Sequence, residues 1–275
     1  MTLDNGILRA EILTQWHDST RFDRMFTVSS LKLIARDIEF MAPESLIPNT
    51  GSGGSGLANE FGIMEPIGYT DAAPGEVFLK PDVGWLVRDE KPYRFSFPYE
   101  IADRGHVEYA WGENSVEGTW DSGVRRGYGC KVWRRLALEG NELVMDYRME
   151  NTGEKPFDTT EYNHNFVLIG GHLLSEDYEL VTGCAAADAQ FMPWVTLGKY
   201  PSHKPALPPV SDGINGWRLT HKPDGVFMQE IDDFQAARFT VWAQEHVASS
   251  EVFKAIALKP GESEKWKRRF VFGVD

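Results

Sequence analysis

The chain has 275 residues, 42% of them hydrophobic and 12% aromatic, with 28 basic against 41 acidic side chains and a formal net charge of −13. That balance argues against nucleic acid and anionic membrane surfaces, which both reward clustered Lys and Arg. No apolar run approaches the roughly 18–20 residues of a membrane helix, and the apolar content is ample for a single domain spanning 1–275.

The N-terminus, Met1-Thr2-Leu3-Asp4-Asn5-Gly6, lacks the basic and apolar regions of a secretory signal, which predicts a cytoplasmic protein. Two cysteines, Cys130 and Cys184, do not make a disulfide framework, so free thiols are expected. Arg21-Phe22-Asp23-Arg24 stands just before a strand beginning at Met25, and by residue type alone it reads as a surface Arg/Asp pair. The Gly/Ser run Pro48-Asn49-Thr50-Gly51-Ser52-Gly53-Gly54-Ser55-Gly56 reads as a mobile loop between strands of one domain. Glu60, Glu76 and Lys80 follow in a Gly-rich stretch without charge periodicity, where they either line a pocket or face solvent. Arg125-Arg126 before Gly127-Tyr128-Gly129 is either a hold for an anionic substituent or a basic turn balancing an acidic surface.

From residue 132 onward the period-two pattern is clear. Val132-Trp133-Arg134-Arg135-Leu136-Ala137-Leu138 predicts a strand, Glu139-Gly140-Asn141-Glu142 a turn, and Leu143-Val144-Met145-Asp146-Tyr147-Arg148-Met149 the returning strand of a hairpin. Asn151-Thr152-Gly153-Glu154-Lys155-Pro156 is a second turn, leading into a strand over 157–167. Residues 186–216, rich in Pro and poor in alternation, predict a long excursion over one face, and loops beyond about 12–15 residues usually serve binding or are disordered. Strands are expected again at 239–244, 252–258 and 265–272, with a turn at Lys259-Pro260-Gly261-Glu262. Such a succession means an all-β fold, a large antiparallel β-sandwich or barrel.

The strand ending Tyr147-Arg148-Met149-Glu150-Asn151-Thr152-Gly153, then Lys155-Pro156, then Asn163-His164-Asn165-Phe166 resembles the central motif of the aldose 1-epimerases. In that family an "N-T-G/D-x-P" turn leads into an "N-H-x-Y/F-F" strand, whose His protonates the sugar ring oxygen. The resemblance implies a galactose mutarotase-like supersandwich, with His164 as general acid and Asn163 and Phe166 beside it. It also implies a glutamate base on a late strand before "L-x-P-G-E/S". Ala243-Gln244-Glu245, ahead of Leu258-Lys259-Pro260-Gly261-Glu262, makes Glu245 the better match for that base, with Glu251 as the other candidate. The likeness covers about residues 125–275. The N-terminal half departs from it: neither the "H-G" context of the usual second histidine nor an "H-G-F-A-R" segment is present. His106 is the only histidine between His17 and His164 and stands in a different context. Lys80 is a candidate to replace the missing histidine as a cation. An Arg near the first hairpin often reaches substrate in this superfamily, which makes Arg21 and Arg24 candidates.

Anomer interconversion needs the ring oxygen protonated while the anomeric hydroxyl loses its proton. An imidazole, with an unperturbed pKa of about 6.5, suits the first task and a partly buried carboxylate the second. Sugar recognition further needs polar side chains and an aromatic platform, for which Trp242 and Trp194 are candidates. The predicted site is therefore His164 and Glu245, with Arg21, Arg24, Glu60, Lys80, His106, Asn163 and Trp242 binding a small-molecule carbohydrate. A satisfied strand histidine and a solvated strand glutamate are the plainer readings of His164 and Glu245. His164 and His172 lie near carboxylates, Glu161 among them, but no H-x-H, H-E-x-x-H or Cys pair appears, so no metal is expected. Without a Walker loop, dinucleotide fingerprint or G-x-S-x-G elbow, no nucleotide cofactor and no serine hydrolysis are expected. A carbohydrate lyase or hydrolase on the same sandwich, or a non-enzymatic sugar-binding protein, are the alternative functions, and a monomer or homodimer the expected assembly.

Overall fold

Alternation of apolar and polar residues makes strands, and the computed structural model, which describes residues 1–15, 20–47, 53–182 and 216–275, forms nineteen of them in those residues. The N-terminal half supplies β1 (Thr2–Asp4), β2 (Leu8–Thr14), β3 (Phe26–Leu33), β4 (Ile38–Glu39), β5 (Leu57–Phe61), β6 (Val77–Lys80), β7 (Gly84–Val87) and β8 (Ile101–Asp103). The middle supplies β9 (His106–Trp111), β10 (Ser115–Asp121), β11 (Cys130–Glu139), β12 (Glu142–Asn151) and β13 (Phe157–Asn165). After β14 (Tyr178–Thr182) come β15 (Gly216–His221), β16 (Val226–Asp232), β17 (Arg238–Gln244), β18 (Val247–Leu258) and β19 (Ser263–Val274).

Two large antiparallel sheets form a sandwich. The first runs β1-β2-β3-β5-β13-β18-β17 with β4 beside β3, the second runs β14-β15-β16-β19-β12-β11-β10-β9, and β6-β7-β8 form a small third sheet. The predicted hairpin is β11–β12, in continuous register from Cys130 opposite Asn151 to Glu139 opposite Glu142. One hydrophobic cluster fills the space between the large sheets, with Phe26 and Phe61 from the first and Tyr147, Trp266 and Phe270 from the second. Burying such side chains contributes about 1.5–3 kcal/mol each.

The interior also holds ions. Arg268 of β19 meets Glu161 of β13 at 2.7 Å, and Glu230 and Asp232 of β16 at 2.7 and 3.3 Å, all with fully buried side chains. Arg134 of β11 also donates to the buried Asp23. The Arg268–Glu161 pair crosses from one sheet to the other, so it constrains how the sheets stack as well as neutralising buried charge.

The expected mobile Gly/Ser loop needs correction at its C-terminal end. Gly54 O accepts from Glu44 N, Gly56 N donates to Ala42 O and Gly56 O accepts from Phe166 N, so backbone bonding pins residues 54–56 between the 42–44 segment and the end of β13. Gly56 has φ +59°, and a Cβ there would come within 1.9 Å of Val28 O, so only glycine fits this close approach. Residues 48–52 lie outside the described residues, as do Cys184, Trp194 and most of the predicted 186–216 excursion. No helix among the described residues is long and apolar enough to cross a membrane.

Candidate active site

Strand alternation assigns the side chains of β13 to opposite faces. Glu161, Asn163 and Asn165 enter the interior, where Glu161 meets Arg268 and Asn165 Nδ2 donates to Glu230 at 2.9 Å. Tyr162 and His164 point the other way, onto the outer face of the first sheet. Neighbouring strands add to that face in register. Glu60 of β5 lies opposite Tyr162, and the β13–β18 register, running from Phe157/Leu258 to Glu161/Lys254 and resuming at Val167/Ala248, sets Glu251 across from His164. Thr240 of β17 lies opposite Glu251.

These side chains form one network. His164 Nδ1 is 2.9 Å from Glu251 Oε1, and its Nε2 is 2.6 Å from the Tyr162 hydroxyl and 3.1 Å from Glu60 Oε2. Glu60 also accepts from Lys80 Nζ at 2.8 Å, from Tyr162 at 2.7 Å and from Arg21 Nε at 3.2 Å. Glu251 accepts from Thr240 Oγ1 at 2.8 Å and Ser249 Oγ at 3.1 Å. Aromatic rings wall the cluster: His164 stacks on Phe166 at 5.1 Å and meets the edge of Phe22 at 5.0 Å, while the Arg21 guanidinium lies between Phe22 and Phe95 at 4.7 and 4.8 Å. Lys80 reaches in from the end of β6, so the small sheet is part of the cover.

Charge and burial decide the protonation states. Burial would lower the His164 pKa, but Glu251 and then Glu60 outweigh it, so the imidazole titrates above its ordinary value. The imidazolium also satisfies the geometry best, since Nδ1–H can donate to Glu251 and Nε2–H toward Glu60. Glu60 is driven up by burial but held well below the usual carboxylate range by Lys80 and Arg21. Burial pulls Lys80 down, and Glu60 restores only part of that. Burial pushes Tyr162 far up, and the Glu60 and Glu251 charges push it further. These shifts favour an imidazolium beside a carboxylate, in a water-poor setting that strengthens their mutual attraction. Within the ion pairs the side chains of His164 and Glu60 are 4% and 0% exposed, against 13% and 14% for Arg21 and Glu44, which lie 3.6 Å apart and form the solvent side of the network.

Of the predicted site residues, the structure brings His164, Glu60, Lys80 and Arg21 together, with Trp242 half-buried and edge-on to Phe166 at 6.1 Å. Glu245 is not among them. It is exposed in the two-residue turn between β17 and β18, where its carbonyl accepts from Leu174 N, and Glu251 takes the place beside His164. Asn163 faces the interior because it alternates with His164, and donates to Asn165 Oδ1 at 2.8 Å. His106 opens β9 at the edge of the other sheet, exposed and 3.2 Å from Glu108. Arg24 lies near Asp82, whose carboxyl its charge acts on. Arg125 pairs with Asp103 at 2.6 Å, while Arg126 holds the Val77 carbonyl and Glu76, so this basic pair fastens the small sheet. Tyr162 and Glu44 escaped the sequence reading; the two-residue spacing to His164 was the available signal for Tyr162.

A concavity lies elsewhere. A cavity of about 570 Å³ opens on the outer face of the second sheet, lined by Trp133, Arg148, Lys265, Asp146, Glu150 and neighbours. None of its lining residues is a histidine, and it offers an aromatic surface and charges rather than a coupled acid and base.

No family model and no curated protein matches this sequence. Solved structures do match in fold. A protein from Synechocystis sp. PCC 6803 is 8% identical, with 100% of this chain and 96% of that one covered at a TM-score of 0.63. A galactose mutarotase related enzyme from Lactobacillus acidophilus is 11% identical, covering 99% and 97% at 0.61. A galactose mutarotase-like protein from Lactobacillus casei ATCC 334 is 12% identical, covering 99% of each at 0.60. The fold is thus that of the galactose mutarotase-like structures.

Proposed function

We propose that this chain is an aldose 1-epimerase-like isomerase, exchanging the anomers of a free sugar or sugar derivative. The observation that carries the reading is His164 Nε2 set 3.1 Å from Glu60 Oε2, where the raised imidazole and lowered carboxylate pKa values favour the two states that acid–base ring opening requires. His164 gives its Nε2 proton to the ring oxygen as the bond from that oxygen to the anomeric carbon breaks. Glu60 takes the proton from the anomeric hydroxyl as the carbonyl forms. Rotation presents the other carbonyl face, and reversal of both transfers closes the opposite anomer. Glu251, bonded to Nδ1, orients the ring and stabilises the imidazolium. Arg21 is the group a sugar displaces on entry; removing its charge from Glu60 raises the basicity of that carboxylate.

A lyase on this site would call on Tyr162 as base. Burial and the Glu60 and Glu251 charges keep its hydroxyl protonated, which disfavours that reading. The test is anomer exchange followed by NMR saturation transfer over hexoses, pentoses and uronates, with His164→Gln and Glu60→Gln beside the parent chain. Acceleration lost in both variants supports the isomerase. No acceleration of any sugar in the panel by the parent chain overturns it.

A further inference from the structure

Away from the His164 cluster, three side chains with metal-binding donors converge near the end of the β15–β16 hairpin. His221 is the last residue of β15, Asp224 lies in the turn that follows, and His172 comes just after the 3-10 turn Ile169–Gly171. His221 Nδ1 is 2.9 Å from Asp224 Oδ1, and His172 Nε2 is 3.9 Å from Asp224 Oδ2. One donor atom from each of the three lies within 4.8 Å of the other two. The imidazoles stack face to face against the same carboxylate, their centroids 4.2 Å apart and their planes 5° from parallel.

The supports under these donors are rigid. His221 pairs with Tyr178 in one strand register and with Val226 in the other. Its ring also packs on Tyr178 at 5.1 Å. The Tyr178 hydroxyl donates to His172 O at 2.7 Å, and His172 N donates to Ile169 O, which fixes the backbone of the second histidine. Val226 N donates to Asp224 Oδ1 at 3.2 Å, holding the carboxylate in the turn.

Neighbouring ligand atoms of a tetrahedral zinc site, with bonds of about 2.0–2.2 Å, stand about 3.3–3.5 Å apart. The separations of 2.9 and 3.9 Å bracket that value, and His172, 53% exposed, has room to turn its ring. Two imidazoles and one carboxylate are a borderline donor set. It suits zinc and its transition-metal neighbours, whereas calcium and magnesium take oxygen ligands.

We propose that His172, His221 and Asp224 form a binding site for a divalent transition-metal ion, Zn²⁺ foremost, with water completing the coordination. Bound there, the ion ties the segment that leaves β13, the strand of His164, to the β15–β16 turn. The site is independent of the anomer-exchange reading, and its test needs no substrate.

The experiment uses the untagged full chain, stripped with chelator and titrated with Zn²⁺ by calorimetry. Co²⁺ serves as a spectroscopic probe through its visible d–d bands. The variants are His172→Ala and Asp224→Asn, both at exposed positions, so the fold is retained, with His106→Ala as a surface-histidine control. The expected result is one tight Zn²⁺ per chain, weakened about tenfold or more in each of the two variants and unchanged in the control. Tetrahedral Co²⁺ bands present in the parent chain should be lost in both. Parent binding weaker than about 100 μM, or less than about tenfold weakening in either variant, overturns the site.

Discussion

The two large sheets treat their outer faces in opposite ways. In the second sheet, β10 and β16 alternate buried and half-buried residues along their whole length, and β19 alternates through most of its own, which is the signature of one covered and one open face. In the first sheet, β5 is buried throughout, β13 from Glu161 to Asn165, and β18 from Val247 to Lys254. Those stretches are covered on both sides, so polar residues on their outer face must find partners within the protein. On the open sheet, Arg148 with Glu150 and Lys131 with Asp121 are partly exposed and screened by water. On the covered one, the same residue types become a tightly coupled acid–base cluster. Burial, rather than composition, separates an ordinary strand surface from a candidate active site.

The largest expected effect tests that separation. Replacing His164 by Ala should lower anomer exchange by about 10²–10⁴-fold, while Trp133→Ala in the second-sheet cavity should leave it within about twofold. Equal losses in the two variants would erase the distinction. Next comes the interior between the sheets. Arg268→Leu leaves Glu161, Glu230 and Asp232 without their shared cation and should cost about 3–5 kcal/mol in urea-induced unfolding. A cost below about 1 kcal/mol would mean that those carboxyls are neutral without Arg268.

A smaller effect follows from pH. Burial raises Asp23 to about 7, with Arg134 offsetting only part, so the folded chain holds a proton there that the unfolded chain has lost above about pH 4. That contribution declines as pH rises from about 4 to 7, and His164, also raised, loses its contribution above its ordinary pKa of about 6.5. Glu60 and Glu251 act in reverse, since their lowered values stabilise the fold above the ordinary carboxylate range and lose that effect in acid. The melting temperature should therefore peak in mildly acidic buffer and fall toward pH 8, as scanning calorimetry across pH would record. A peak at pH 8 or above would contradict these assignments. The smallest effect belongs to the open sheet: Arg148→Ala should change stability by no more than about 0.5 kcal/mol in the same urea assay.

How much was legible in advance follows from the range of each signal. The β11–β12 hairpin, the β13 strand and the C-terminal strands are local patterns of alternation and turn residues, so they could be read directly. His164 was legible through its motif and Lys80 through the want of a second histidine. Glu245 was misplaced because matching by distance from a C-terminal turn ignores strand register. Six residues further along, Glu251 falls opposite His164, whereas Glu245 falls in the turn. Asn163 failed for a related reason, since an immediate neighbour on a strand faces the other way.

What the sequence by itself determined was the architecture, an antiparallel sandwich, together with the identity of its central histidine. The strands rest on contacts within a few residues, where alternation and turn chemistry leave little freedom, while the sandwich and its histidine came through the resemblance of one motif. Tertiary structure alone decided which charged groups meet that histidine. Arg21, Glu60, Lys80 and Glu251 come from four separate stretches of chain, and their pairing depends on sheet order and on the cover that removes water from one face. Electrostatic coupling of that kind depends on distance and burial in three dimensions, and neither is written in local sequence.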